Sequence, residues 1–162
     1  MKLYANQKPF SFSNEIIIKD ENNIDVFDIS SEIHAMGTKT TITNMTGNKI
    51  IYIEEELLNL ISTHSIYINN QPSITIKRII KPFVACNYTL SNLYIVNGNF
   101  RGTDFTIYDD KNNQIGNIKR TTQILTIGNS ESFEIEIIDN NQKEIILAIL
   151  ATITDDIRRD KK

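Results

Sequence analysis

Two histidines, His34 and His64, are the only side chains of the 162 whose unperturbed charge changes close to neutral pH. His64 lies between Thr63 and Ser65, and no G-x-S-x-G elbow accompanies either histidine to supply an activated serine. Both therefore read as structural or surface groups. A single cysteine, Cys86, can form neither an internal disulfide nor a multi-thiolate metal site. With no basic cluster beside it in the sequence, it reads as a small buried apolar group. Neither H-E-x-x-H nor C-x-x-C occurs, so no zinc centre is expected, and no pattern calls for a cofactor.

The acidic clusters are no more specific. Asp109-Asp110-Lys111-Asn112-Asn113 has the flavour of a calcium loop, but Lys111 breaks the alternation of oxygen ligands that such a loop requires. Glu54-Glu55-Glu56 reads as a solvated face, and adjacency alone does not make two carboxylates an acid/base pair. Gly98-Asn99-Phe100-Arg101-Gly102 has spaced glycines but no helix after it to present amides to a phosphate, so a turn or bulge is expected. Three basic pairs remain: Lys77-Arg78, Lys119-Arg120 and Arg158-Arg159. On a strand the members of such a pair point to opposite faces, so any anion or head-group patch has to be assembled by the fold. A net charge of −3 and a pI of 5.4 argue against nonspecific binding to nucleic acid or to an anionic membrane.

The elements that hold these residues are written in the composition. Isoleucine occurs 31 times against 9 leucines and 5 alanines, with 15 threonines, which favours pleated sheet over helix. One unit recurs: an alternating apolar arm, a polar tip, and a second apolar arm. Copies stand at 15–29, 40–53, 64–79 and 104–120, and a fifth begins at 132. The tips are Asp20–Asn23, Asn44–Asn48, Asn69–Pro72, Asp109–Asn113 and Asp139–Asn141, rich in residues that cap their own turns or accept left-handed backbone angles. Residues 92–101 and 121–127 read as further strands, while 54–61 fits either a short helix or a bent strand. Pro82 marks a midpoint crossing, no linker composition appears, and residues 1–162 read as one domain. So many antiparallel strands must close or stack to protect their edges.

The fifth copy breaks the rule. In NQKEIILAILATITDDI at 141–157, alanine and leucine cluster and the apolar run from Ile145 to Ala151 is unbroken. Asn141 as N-cap with Glu144 three residues on suits a helix start, and Arg158, Arg159, Lys161 and Lys162 suit its end. The spacing predicts a helix of about four turns, apolar on every side, with a fully buried strand as the competing reading. Such a helix has to be surrounded, and here only strands can surround it. The expected fold is mainly β: an antiparallel closed β-barrel around a central hydrophobic C-terminal α-helix.

The series NLYIVNGNFRGTDFTIYDDKNNQIGNIKR at 92–120, SFEIEII at 132–138 and EIILAILATITDDI at 144–157 resembles the LURP-one-related family, as do residues 7–29 and 40–61. That family belongs to the tubby C-terminal-like group, which includes the phospholipid scramblases. The resemblance implies about twelve strands around the helix. It departs from the family at Asn112-Asn113, which lacks a glycine, and in having no tryptophan. Tubby proteins proper bind phosphoinositide head groups through a cationic patch, but no stretch here allows those residues to be carried over.

The resulting expectation is a non-enzymatic barrel, cytoplasmic and peripheral to the membrane, that binds a phospholipid head group or another anionic ligand. The N-terminal MKLYANQKPFSFS lacks the apolar stretch of a signal peptide, and no run approaches the roughly 20 residues of a membrane span. Two rivals stand beside it. One is a small-ligand carrier or enzyme with His34 or His64 beside a carboxylate at a barrel mouth; the other is a protein-interaction subunit using an exposed strand edge. Deleting residues 141–162 is expected to abolish cooperative unfolding; a truncated chain that stays soluble and melts sharply rejects the buried helix.

Overall fold

Alternation along the strands decides which side chains point at the axis. In the computed structural model, residues 1–7, 14–56, 61–79, 87–91, 93–99, 101–125 and 128–160 are described, with backbone alone at 14, 122–125 and 128–130. Among them, twelve antiparallel strands follow one another around a closed barrel. These are β1 (Lys2–Gln7), β2 (Asn14–Lys19), β3 (Asp25–His34), β4 (Gly37–Asn44), β5 (Lys49–Glu55), β6 (Thr63–Ile68), β7 (Gln71–Ile79), β8 (Asn87–Leu90), β9 (Tyr94–Gly98), β10 (Asp104–Asp109), β11 (Gln114–Leu125) and β12 (Gly128–Ile137). A 3-10 turn, Asn140–Gln142, leads into helix α1, Lys143–Asp160. The barrel closes where β1 pairs with β12, Leu3 opposite Ile135 and Ala5 opposite Phe133.

Every second residue of the arms is buried. Ile51 and Ile53 point inward between Ile50, Tyr52 and Glu54, which are only partly covered. Ile135 and Ile137 alternate with outward Glu134 and Glu136, and Glu134 pairs with Lys2 across β1 at 3.5 Å. The inward set packs on α1, whose residues from Ile145 through Asp156 are all buried. Twelve consecutive buried positions cover more than three turns, so no face of that stretch is wet. The helix is about 27 Å long, a turn longer than the sequence suggests.

The wall and the helix approach tightly at Gly116. A β-carbon there would lie 2.8 Å from Ile146 Cδ1 and 2.9 Å from the carbonyl oxygen of Glu136. Glycine is needed at this point for space, not for backbone conformation.

The polar tips close by one repeated mechanism. Asp20 Oδ1 accepts from the amides of Asn22 and Ile24, Asn44 Oδ1 from those of Thr46 and Asn48, and Asp109 Oδ1 from those of Lys111 and Asn113. Asn23, Gly47 and Asn112 then take positive φ. Asn112, at φ 63°, occupies the left-handed angle for which glycine is the usual residue. The third tip is only Asn69-Asn70, both at positive φ, a tight two-residue hairpin; Gln71 and Pro72 already belong to β7.

Several expectations need correction. The helix is not capped by Asn141. Asp139 accepts from the Asn141 amide at 3.0 Å and caps the 3-10 turn, because the chain must first turn from the wall into the lumen. Residues 121–125 are not a separate strand but the continuation of β11, paired throughout with β12. Glu54 and Glu55 extend β5, so the 54–61 segment starts as strand. Cys86, Pro82, Phe100 and residues 57–60 lie outside the described residues. Asn99 and Gly102 form the expected turn, the Gly102 amide donating to the Asn99 carbonyl at 3.0 Å.

Gly116→Ala is expected to destabilise the protein by about 1–3 kcal/mol through overpacking against Ile146. Urea denaturation measures it, and unchanged stability would show that helix and wall are not in register there.

Candidate functional site

The up-and-down order puts every polar tip, and the start of α1, at one end of the barrel. The helix leaves at the other end, and there its character changes. Thr152, Thr154, Asp155 and Asp156 are buried in its last enclosed turns. Asp155 accepts from Ser31 Oγ at 3.0 Å and Thr40 Oγ1 at 2.6 Å, and Arg158 lies 3.3 Å away. Burial raises its carboxyl above the usual carboxylate range, opposed by those hydroxyls and by Arg158. Asp156 pairs with Arg159 and accepts from Ser62 Oγ at 3.1 Å. Arg159 also reaches Glu55, which is 7% exposed and accepts from the Thr38 amide at 3.1 Å. The helix end is thereby tied to β3, β4, β5 and the segment before β6.

His64 sits in this cluster and is 2% exposed. Neither ring nitrogen has a hydrogen-bond partner among the described residues, and neither does Asp156 Oδ2. Burial lowers the imidazole pKa; Asp156, Glu55 and Asp155 oppose that, and Arg159 adds to it. His34 is exposed at the end of β3 with Nε2 3.3 Å from Glu32. The histidine beside carboxylates is thus His64, but it lines neither of the two clefts described below. Among the described residues no group of three or more His, Cys, Asp or Glu side chains could hold a metal ion.

Beside the helix exit an open cleft of about 170 Å³ is lined by Arg78, Arg101, Arg120, Asp156 and Asp160 around Tyr88 and Phe105. Strand alternation explains two of the arginines. Lys77 and Lys119 are exposed, while Arg78 and Arg120 follow the buried Ile76 and Ile118 on the inward face. Arg78 forks onto both oxygens of Asp160 at 3.1 and 2.8 Å. Arg120 forks onto Glu131 of β12 at 2.5 and 2.7 Å. Both guanidinium groups are held more firmly charged by these carboxylates. Arg101, in the turn between β9 and β10, is exposed and has no ion pair among the described residues. The third basic pair serves the buried cluster: Arg158 holds Asp155 and Arg159 holds Asp156. Arg101 and Asp160 carry no sequence signal as site residues. The i,i+3 spacing of Asp155–Arg158 and Asp156–Arg159 does announce those two pairs.

A second, larger groove of about 500 Å³ runs along the outer wall past Tyr4, Asn6, Lys19 and Glu134. Lys19 there faces Asp20, Glu21 and Glu134, and no single charge dominates it.

His64 ties stability to pH. Its folded pKa lies below the ordinary 6.5, so below about pH 6.5 the unfolded chain takes up a proton that the folded one refuses. This share of stability falls as pH drops through that window and levels off below the folded value. Asp155 acts the other way, since acid relieves its buried charge. His64→Leu is expected to flatten the loss of melting temperature between about pH 7 and pH 5 without lowering stability at neutrality. An unaltered acid slope counts against the assignment.

A family profile described as LURP-one-related matches residues 1–155. The chain is 22% identical over 113 residues to YxjI of Bacillus subtilis (strain 168), itself described as uncharacterized; the match covers 69% of each chain. An X-ray structure of a protein from Arabidopsis thaliana shares the fold with a TM-score of 0.59 at 13% identity, covering 97% of this chain and 91% of that one. No helix among the described residues is long and apolar enough to cross a membrane. With a barrel closed by β1 on β12, a buried C-terminal helix and a profile match along nearly its whole length, the chain belongs to the LURP-one-related family.

Proposed function

We propose that this barrel is a non-enzymatic binding module for anionic, phosphate-bearing ligands, with the head group of a membrane lipid as the source. The observation that carries the reading is the meeting of Arg78, Arg101 and Arg120, from three separate segments, around one open cleft. A guanidinium presents its donors as a planar fork that matches two oxygens of a phosphate, and three of them can surround one head group. The overall charge of −3 does not oppose this, because much of the acid lies elsewhere. Asp20, Glu21, Asp109 and Asp110 sit in tips at the opposite end of the barrel. A molecule so polarised would approach an anionic surface with the helix exit leading.

A soluble phosphate ester would use the same three side chains, so the test separates the two sources. Vesicles of phosphatidylcholine with added phosphatidylserine or phosphatidylinositol phosphate should sediment the protein at low salt and release it as salt is raised. Arg101→Ala, a change at an exposed turn, is expected to weaken retention about tenfold with the melting temperature unchanged. Binding of free inositol phosphate without retention on any anionic vesicle at low salt rejects the lipid source; binding of neither rejects the module.

A further inference from the structure

The three arginines of the cleft are held in three different ways. Arg120 is locked, because it and Glu131 are 17% and 12% exposed and stand on paired neighbouring strands. Arg101 is open. Arg78 is covered by Asp160, the last described residue of α1, whose side chain is 53% exposed.

We propose that Asp160 is a built-in competitor for the cleft: its carboxylate occupies the fork of Arg78 that an incoming phosphate needs, and ligand binds by displacing it. This rests on the binding function proposed above and adds its regulation. A carboxylate held through both oxygens, at 3.1 and 2.8 Å, offers Arg78 the same two-point contact as two phosphate oxygens.

The helix holds this residue less firmly than the two before it. Arg158 and Arg159 are held by Asp155, Asp156 and Glu55, which fixes the chain up to the residue before Asp160. Asp160 itself stands in the terminal turn, where the helix dipole disfavours a negative charge and where fraying is easiest. Among the described residues its ion pair is with Arg78, and rotation of one side chain or loss of the last residue from the helix opens the contact. Displacement also removes a negative charge from a cleft that Arg78, Arg101 and Arg120 line.

The probe is inositol 1,4,5-trisphosphate, titrated by calorimetry into the full chain and into Asp160→Asn, Arg78→Gln and the double variant. Circular dichroism melts establish that each is folded. Asp160→Asn is expected to bind about fivefold tighter than the parent, the scale of an exposed ion pair. That gain should vanish when Arg78→Gln is present. Tighter binding by Asp160→Asn that persists in the Arg78→Gln background overturns the latch, since the gain would then be general charge. A parent that binds while Asp160→Asn binds equally or more weakly also overturns the latch and leaves the binding function standing. Failure of both chains to bind the probe and anionic vesicles overturns the binding function and the latch together.

Discussion

An α-helix that is apolar around its whole circumference can exist in water only inside something. From Ile145 to Ile153 no turn of α1 offers a wet side, so twelve strands must form a sheath rather than a sandwich or an open sheet. The demand is mutual. The inward isoleucines of the strands would otherwise line a void, and interiors of this kind fill at close-packed density. At Gly116 the close approach of wall and helix is met by removing a side chain altogether.

The same constraint shapes the far end. A plug that simply continued apolar would seal that mouth with greasy surface. Instead the helix carries Asp155 and Asp156 into the last enclosed turns, and hydroxyls of Ser31, Thr40 and Ser62 from the wall meet them. Buried charges are expensive unless partnered, so these contacts favour one rotation and depth of the helix. Next to that anchored end lies the cleft of arginines, so the geometry of the cleft inherits its precision from the buried cluster.

What could be read beforehand follows the range of the forces involved. Tips were legible because Asp20, Asn44 and Asp109 close their turns within four residues. The helix was legible because its alanines and leucines stand out in an isoleucine-rich chain. Its cap was misplaced by two residues, since Asp139 serves a turn imposed by the passage from wall to lumen. The burial of Asp155 and Asp156 was not legible, because their partners at 31, 40 and 62 lie about a hundred positions away and have no local signature. Alternation foretold that Lys77-Arg78 and Lys119-Arg120 would each split across the wall. It could not foretell that both arginines, with Arg101, border one cleft, because that depends on how the strands between them wrap.

The seam between β1 and β12 has a further meaning for how such a molecule comes into being. The stave that completes the cylinder is the first of the described elements, and the core that fills it is the last. While the chain emerges from a ribosome, hairpins have neither a closing neighbour nor an interior to pack on. Their isoleucine faces stay exposed until α1 has been made, a state prone to aggregation and slow to resolve through such distant pairings. Nascent chains of this fold should therefore lean on holdase chaperones more than helical proteins of equal size.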